Sequence, residues 1–475
     1  MYCPPGTYLS GTICLKSNVI IHFAPGAILL GSTDLNDFPI HEPAFRSYTD
    51  NYVRQSLIYG ENIENVTITG SGVIDGQGAA FKDPRYLIRP YLIRIVTSQH
   101  ILVEGITLKN SPMWLQHYLA CDFVTLRGLK IFNQVNANND MIDIDCCRNV
   151  HISDCYGDTG DDCITLKSTA DRICENVTIT NCIVNSNCNG IKFGTESNGG
   201  FRNITVSNCI VNSSRTEKGI LGRTQGLSGI ALEMVDGGIF ERVTISNITI
   251  FGVDVPIFLR LGNRARAFKK DMAKPGMGAF RNVVISDIVA EALSPIGCSI
   301  TGLPGYPVEN VTLSNIRITY PGGGTKEDAQ KVVPEHPEKY PESSMFGTLP
   351  SYGFYCRHVK NLTMNNIDLN LKTSDYRPSL IFEDVTNLDV NGFRGESIPD
   401  GSPFIIFKDV RGAFIRGCTA PLNAKSFLRL EGRTETVNVI GNDLSQAKIP
   451  FEFDSMVSSL AIFQTANRID NSNKK

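Results

Sequence analysis

Apolar and polar residues alternate through most of this chain in short runs, each closed by Asn, Asp or Gly. A period of two predicts strands with one buried face. One phrase recurs: N-V-T-I-T-G from Asn65, N-V-H-I-S-D from Asn149, N-V-T-I-T-N from Asn176 and N-I-T-V-S-N from Asn203. It returns from Arg242, Asn282, Asn310, Asn361 and Asn387. Asn149, Asn176 and Asn203 follow one another at 27 residues, Asn282 and Asn310 at 28, Asn361 and Asn387 at 26. The wider gap from Asn203 to Arg242 reads as one coil with a loop insertion, or as two coils.

A fixed period of this size marks a solenoid. Helical periodicity is nearly absent, which excludes solenoids built from helices. Each coil holds several short strands separated by turns, and stacked coils give parallel sheets around one apolar column. The expected fold is all-β: a single-domain parallel β-helix over 1–475 with long loop insertions. Asp154, Asn181, Asn208, Asn247, Asp287, Asn315 and Asn366 share one position of the phrase and predict a ladder of side-chain hydrogen bonds from coil to coil. Cys155, Cys182 and Cys209 follow that position and predict a stacked row of small buried residues. Residues 321–350 and 264–278 read as long surface loops, and 466–475 as a frayed tail. Strands are already in progress from Gly6 to Ser32. An upstream first coil and export signal are therefore expected, and with them periplasmic or secreted action.

Composition narrows the picture. A net charge of −3 argues against a basic surface for nucleic acid. No apolar run is long enough for a membrane-spanning helix. Met1 to Gly6 lacks the basic and apolar regions of a signal peptide. The 14 cysteines include no matched CxxC pairs, so a zinc site is not expected. The chain is large enough to form a core without staples, and buried free thiols are expected instead of disulfides. No cofactor or metal is called for.

The chemistry is concentrated between Asn138 and Ser197, in N-N-D-M-I-D, G-D-D-C-I-T-L-K-S and N-C-N-G-I-K-F-G-T-E-S. Asp162 and Asn189 each lie 14 residues before their phrase and should stack in adjacent coils. Asp140 lies 21 residues before Asp161, slightly less than one coil. Three carboxylates thus converge on one outer face. Clustered like charges raise the pKa of at least one member. The raised group can serve as general acid while an ionised neighbour activates water. That is the equipment of an inverting glycosidase. A solvent-facing or calcium-binding acidic turn is the plainer alternative. The tandem order within a solenoid favours catalysis.

These motifs resemble those of the polygalacturonase-like enzymes, family 28 of the glycoside hydrolases, and the resemblance covers most of the chain. It implies a right-handed parallel β-helix that hydrolyses pectic poly- or oligosaccharides with inversion. Asn138-Asn139-Asp140 is similar to the family's N-T-D, and Asp161-Asp162 to its D-D pair. By resemblance Asp161 is the general acid, and Asp140 and Asp162 hold the water. Ser111 to His117 looks like the family's bacterial members, with His117 either at a subsite or in the core. Two motifs depart. The G-H-G histidine is replaced by Asn189 in Cys188-Asn189-Gly190. The basic R-I-K reads Ala231-Leu232-Glu233. The subsite that clamps a galacturonate carboxylate is therefore missing or rebuilt, with Glu233 meeting sugar hydroxyls, or with Lys167, Lys192, Arg260 and Arg264 as alternative anchors. Rhamnogalacturonan-type or decorated galacturonan is expected over plain polygalacturonan. The I-T-L-K-S and G-T-E-S-N-G-G stretches resemble exo-acting bacterial members. A lyase on the same scaffold and a non-catalytic carbohydrate-binding β-helix are the rival readings.

Overall fold

Val66, Ile101, Val124, Val150, Val177 and Ile204 stand one above another as parallel register partners, each almost wholly removed from solvent. They are the inward residues of the recurring phrase, and their alternation with polar neighbours builds the apolar column. The computed structural model describes residues 1–82, 88–214, 222, 224–422 and 424–470. Part of the expected tail, 471–475, lies outside them. The described residues contain no α-helix.

Two compact units are present. One comprises 1–243 and 263–278, the other 244–262 and the chain from Ala279 on. Each is a right-handed parallel β-helix. In the first unit a coil holds three strands, such as Ile142–Asp145, Arg148–Ser153 and Tyr156–Thr159. Each pairs in parallel with its counterpart one coil on: Ile164–Ser168, Cys174–Thr180 and Ile183–Ser186.

The corners explain why Asn and Asp recur. Asn149, Asn176 and Asn203 have φ of 57°, 57° and 56°, and Asp154 and Asn181 have 58° and 56°. Asn and Asp tolerate this left-handed region better than other residues with a Cβ. The expected ladder is present: Asn181 donates to Asp154 at 3.2 Å and Asn315 to Asp287 at 3.0 Å. A second ladder, not anticipated, runs through the first residue of the phrase. Asn176 donates to Asn149 at 3.0 Å and accepts from Asn203 at 2.9 Å. Asn176→Ala forfeits both bonds and places a Cβ-bearing residue without local compensation at positive φ. A loss of about 2 kcal/mol is expected. Asn176→Gly, free of that backbone cost, should lose less. The urea midpoints of the two variants are the check.

All 14 cysteines are free thiols, and the Cys155, Cys182 and Cys209 row is buried as expected.

Candidate active site

Apart from Arg260 and Arg264, the expected site residues lie on, or one or a few residues before, one column of strands in the first unit. It contains β1 (Tyr91–Val96), β2 (Gln116–Leu119), β3 (Ile142–Asp145), β4 (Ile164–Ser168), β5 (Asn189–Ser197) and β6 (Gly226–Met234). Ile142, Ile164 and Ile191 are register partners. The residues two places before them, Asp140, Asp162 and Asn189, therefore hold one position in three successive coils. Main-chain bonds fix this stacking: Met141 N donates to Asp162 O at 3.0 Å, and Cys163 N to Asn189 O at 2.9 Å. The coil repeat thus brings residues distant in sequence into one cluster.

Asp162 is buried and fully engaged. Its Oδ1 accepts from Asn189 Nδ2 at 2.8 Å and Asn189 N at 3.1 Å, and its Oδ2 from Lys192 Nζ at 2.9 Å. Burial opposes the charge. Lys192, Lys167 and the hydrogen bonds of Lys192 and Asn189 outweigh it and hold Asp162 below the usual carboxylate range. Asp161 differs. It keeps partial exposure, and its Oδ1 accepts the Asp162 N–H at 2.9 Å, with the Cys188 side chain as a further hydrogen-bond partner of the carboxyl. Burial, then the charge of Asp162, pushes it up to about 6. Asp140 is raised well above its ordinary range by burial and by Asp143 and Asp161. Its buried Oδ1 has no hydrogen-bond partner.

Asn189 and Lys192 thus act on Asp162 itself. Lys192 is the register partner of Ala231, and its ammonium faces Asp162 at 2.9 Å. Glu233, on β6, is completely buried. Lys167 projects its Nζ over the Trp114 ring at 4.5 Å. It stands 3.6 Å from Asp143 Oδ1 and 3.5 Å from Glu196 Oε2. Burial works against its charge, but Glu196, Asp143 and Asp140 prevail and keep it protonated.

The other three expected residues are placed differently. His117 is fully buried, its Nε2 3.1 Å from Asp145 Oδ2, and its ring stacks on Tyr91. Asp145 is held in turn by Thr169 N at 2.9 Å and Thr169 Oγ1 at 2.6 Å. Arg264 pairs with buried Asp236 at 3.0 and 2.5 Å and donates to Thr195 O at 3.0 Å. Arg260 belongs to the other unit, where it donates to Gly302 O at 3.1 Å and Glu335 O at 2.7 Å.

Several members of the cluster carried no role in the sequence reading. Asp143 is wholly buried, with neither carboxylate oxygen hydrogen-bonded. Its spacing from Asp140 was visible, but only the register Asp143–Thr165–Lys192 reveals its place. Glu196 is held by Arg266 at 2.5 Å and by Tyr52 at 3.1 Å. Tyr48, on the same turn as Tyr52, lies under the Arg266 guanidinium and bonds through its N–H to Thr169 O at 2.8 Å. The Ser47–Tyr52 turn is thereby strapped to Glu196, Arg266 and Thr169. Among the described residues, one group has the donor atoms for a metal: Asp161, Asp162 and Cys188, within 4.8 Å of one another. The Lys192 ammonium on Asp162 opposes a cation there.

Residues 32–338 match the family model for glycosyl hydrolases family 28. A probable polygalacturonase of Vitis vinifera is 35% identical over 185 residues, which is 35% of this chain and 36% of that relative. A second, of Arabidopsis thaliana, is 34% identical over 113 residues, 24% of this chain and 25% of the relative. The chain thus spans about a third of the first relative's length and a quarter of the second's. Among solved structures, the family 28 exopolygalacturonase of Yersinia enterocolitica aligns at TM-score 0.58 and 18% identity, over 87% of this chain and 72% of that one. The hyperthermoactive exopolygalacturonase of Thermotoga maritima aligns at 0.57 and 20%, over 78% and 83%. At these identities the likeness is one of fold.

Proposed function

The chain belongs to family 28 of the glycosyl hydrolases, and on that premise we propose that it hydrolyses a glycosidic bond of a pectic poly- or oligosaccharide with inversion. The observation that carries this reading is the unequal treatment of two adjacent carboxyls. Asp162 is bonded to Lys192 and Asn189, whereas Asp161 has no cation at bonding distance among the described residues. Environments that push neighbouring carboxyls apart assign the acid and the base. Asp161 gives its proton to the glycosidic oxygen as the bond to the anomeric carbon breaks. Water attacks that carbon, and Asp162 takes the water's proton. Asp140, kept protonated by burial and by Asp143, orients the water.

The carboxylate oxygens of Asp161 and Asp162 approach within 4.8 Å, closer than the roughly 6.5–9.5 Å usual between inverting carboxyls. The anomer of the first-formed product, read by NMR, is therefore the deciding measurement. Inversion is expected, and net retention overturns the water-activating role. An ultraviolet-absorbing unsaturated product would point instead to a lyase.

The substrate we favour is rhamnogalacturonan-type or decorated galacturonan. Glu233 and Ala231 replace basic residues that would clamp a uronate, and Lys167, over Trp114, remains as the candidate anchor. We further propose exo action, because the Ser47–Tyr52 strap is tied to Glu196, Arg266 and Thr169, and Glu196 shares Lys167 with Asp143 of the carboxylate cluster. Early products of a defined oligosaccharide ladder are expected to be the smallest released unit. Random mid-chain fragments would refute exo action. The reading places the enzyme outside the cytoplasm, where its polymer lies. Twelve of the thiols are buried, away from oxidising solvent.

A further inference from the structure

We propose that the second unit carries its own binding site for an acidic oligosaccharide. The site is a cavity of about 630 Å³ whose lining includes Lys326, Tyr376, Ile406, Lys408, Lys425 and Arg429. Its floor comes from β7 (Phe354–Leu371), β8 (Leu380–Asn391), β9 (Ile405–Lys408) and β10 (Ser426–Glu431). The parallel register sets Tyr355, Ile381, Ile406 and Arg429 in one row. Arg357, Glu383, Lys408 and Glu431 form the next. Three apolar residues, followed by Arg429, thus run beside a wholly charged row.

The wall opposite is the loop 321–350, and it is built rather than draped. Buried Arg357 donates to Val333 O at 2.6 Å and Pro334 O at 3.0 Å, and buried Arg260 to Glu335 O at 2.7 Å. Val333 and Leu349 pack on Tyr355 and Ile381. The cavity therefore keeps its shape without an occupant, as ligand sites of roughly 300–1,000 Å³ generally do.

Its charges specify the occupant. Five cations line it, against Glu383, Asp400 and Glu431. Lys408 is matched by Glu383 at 2.7 Å, Arg429 by Glu431 at 2.8 Å, and Lys331 by Asp328 at 2.6 Å. Two lysines are not closely matched. Lys425 is 3.9 Å from Glu452, and Lys326 lies 5.2 Å over the Tyr376 ring and makes no ion pair among the described residues. The interspersed acids would repel a dense polyanion such as nucleic acid, yet they accept hydrogen bonds from hydroxyls. The two lysines suit sparse carboxylates, and half-buried Ile406 with exposed Tyr376 offers apolar surface to a sugar ring. That the ligand belongs to the enzyme's own polymer rests on the hydrolase reading. The existence of the site does not.

The test is calorimetric titration of the Asp161→Asn protein with an oligogalacturonate, and separately with a neutral galactan oligosaccharide. Charge reversal of the two exposed lysines, Lys326→Glu with Lys425→Glu, should weaken one oligogalacturonate binding event at least tenfold while the melting temperature holds. In the otherwise native enzyme the same reversal should raise KM for polymer and leave kcat/KM for a short oligosaccharide unchanged. Binding untouched by the reversal, or equal binding of the neutral galactan, overturns the proposal. Failure of the hydrolase reading registers separately, as glycan left intact by the native enzyme while the reversal-sensitive event persists.

Discussion

Replacing Asp161 by Asn is expected to lower kcat on a natural glycan by about 10²–10⁴-fold, the usual worth of a positioned general acid, while the fold survives. The side chain accepts a single main-chain N–H, from Asp162 at 2.9 Å, and an Asn Oδ1 can accept the same bond. Asp161 also keeps partial exposure, so the change opens no cavity. Its function as a proton donor has no such substitute. The loss should therefore depend on the leaving group. An aryl glycoside whose phenolate departs unaided should be cleaved by the variant at nearly the native rate. The pH dependence follows from the same group. Asp161 is pushed up to about 6, first by burial and then by Asp162. Above that value the acid form is lost, and kcat/KM should fall about tenfold per pH unit on a natural glycan. With the aryl substrate that alkaline limb should vanish. Wild-type turnover of the natural glycan by Asp161→Asn would sink the assignment.

The coil architecture and the convergence of Asp140, Asp162 and Asn189 were legible because both follow from periodicity. A strand that alternates Val or Ile with polar residues has one possible buried face, and equal offsets from successive phrases mean equal heights in the stack. What the chain order hides is contact between elements that share no period. Tyr52 meets Glu196 across 144 residues, and no local pattern at either end announces it. The partner of Lys192 was hidden differently. A lysine in a strand reads as a solvated or substrate-facing charge, and only the register placing it beside Asp162 turns it inward. The second Asn ladder was missed although its residues were in view. Asn at a positive-φ corner already has a sufficient backbone explanation, so the side-chain bond between coils added no further sequence signal.

Removing that inward charge should produce the other large effect. In Lys192→Met the buried Asp162 keeps the two bonds from Asn189 but loses its cation at 2.9 Å. Breaking a buried pair from one side costs about 3–5 kcal/mol, read as a lower urea midpoint at neutral pH. The pH dependence of that deficit has a definite sign. Asp162 is depressed in the folded protein, so its ionisation stabilises the native state above the unfolded carboxylate range near ~4. That stabilisation is lost as pH falls through the lower folded value. Without Lys192 burial prevails and Asp162 takes up a proton more readily. The stability gap between variant and native protein should therefore narrow as pH falls. Activity should respond in parallel. The acid limb of kcat/KM, set by ionisation of Asp162, should climb towards the alkaline limb set by Asp161 near 6, leaving a narrower and lower bell. Lys192→Arg keeps the charge and should restore part of the acid-side activity. A lysine that merely held substrate would raise KM and leave the acid limb where it was, and that outcome would return Lys192 to the role of a sugar contact.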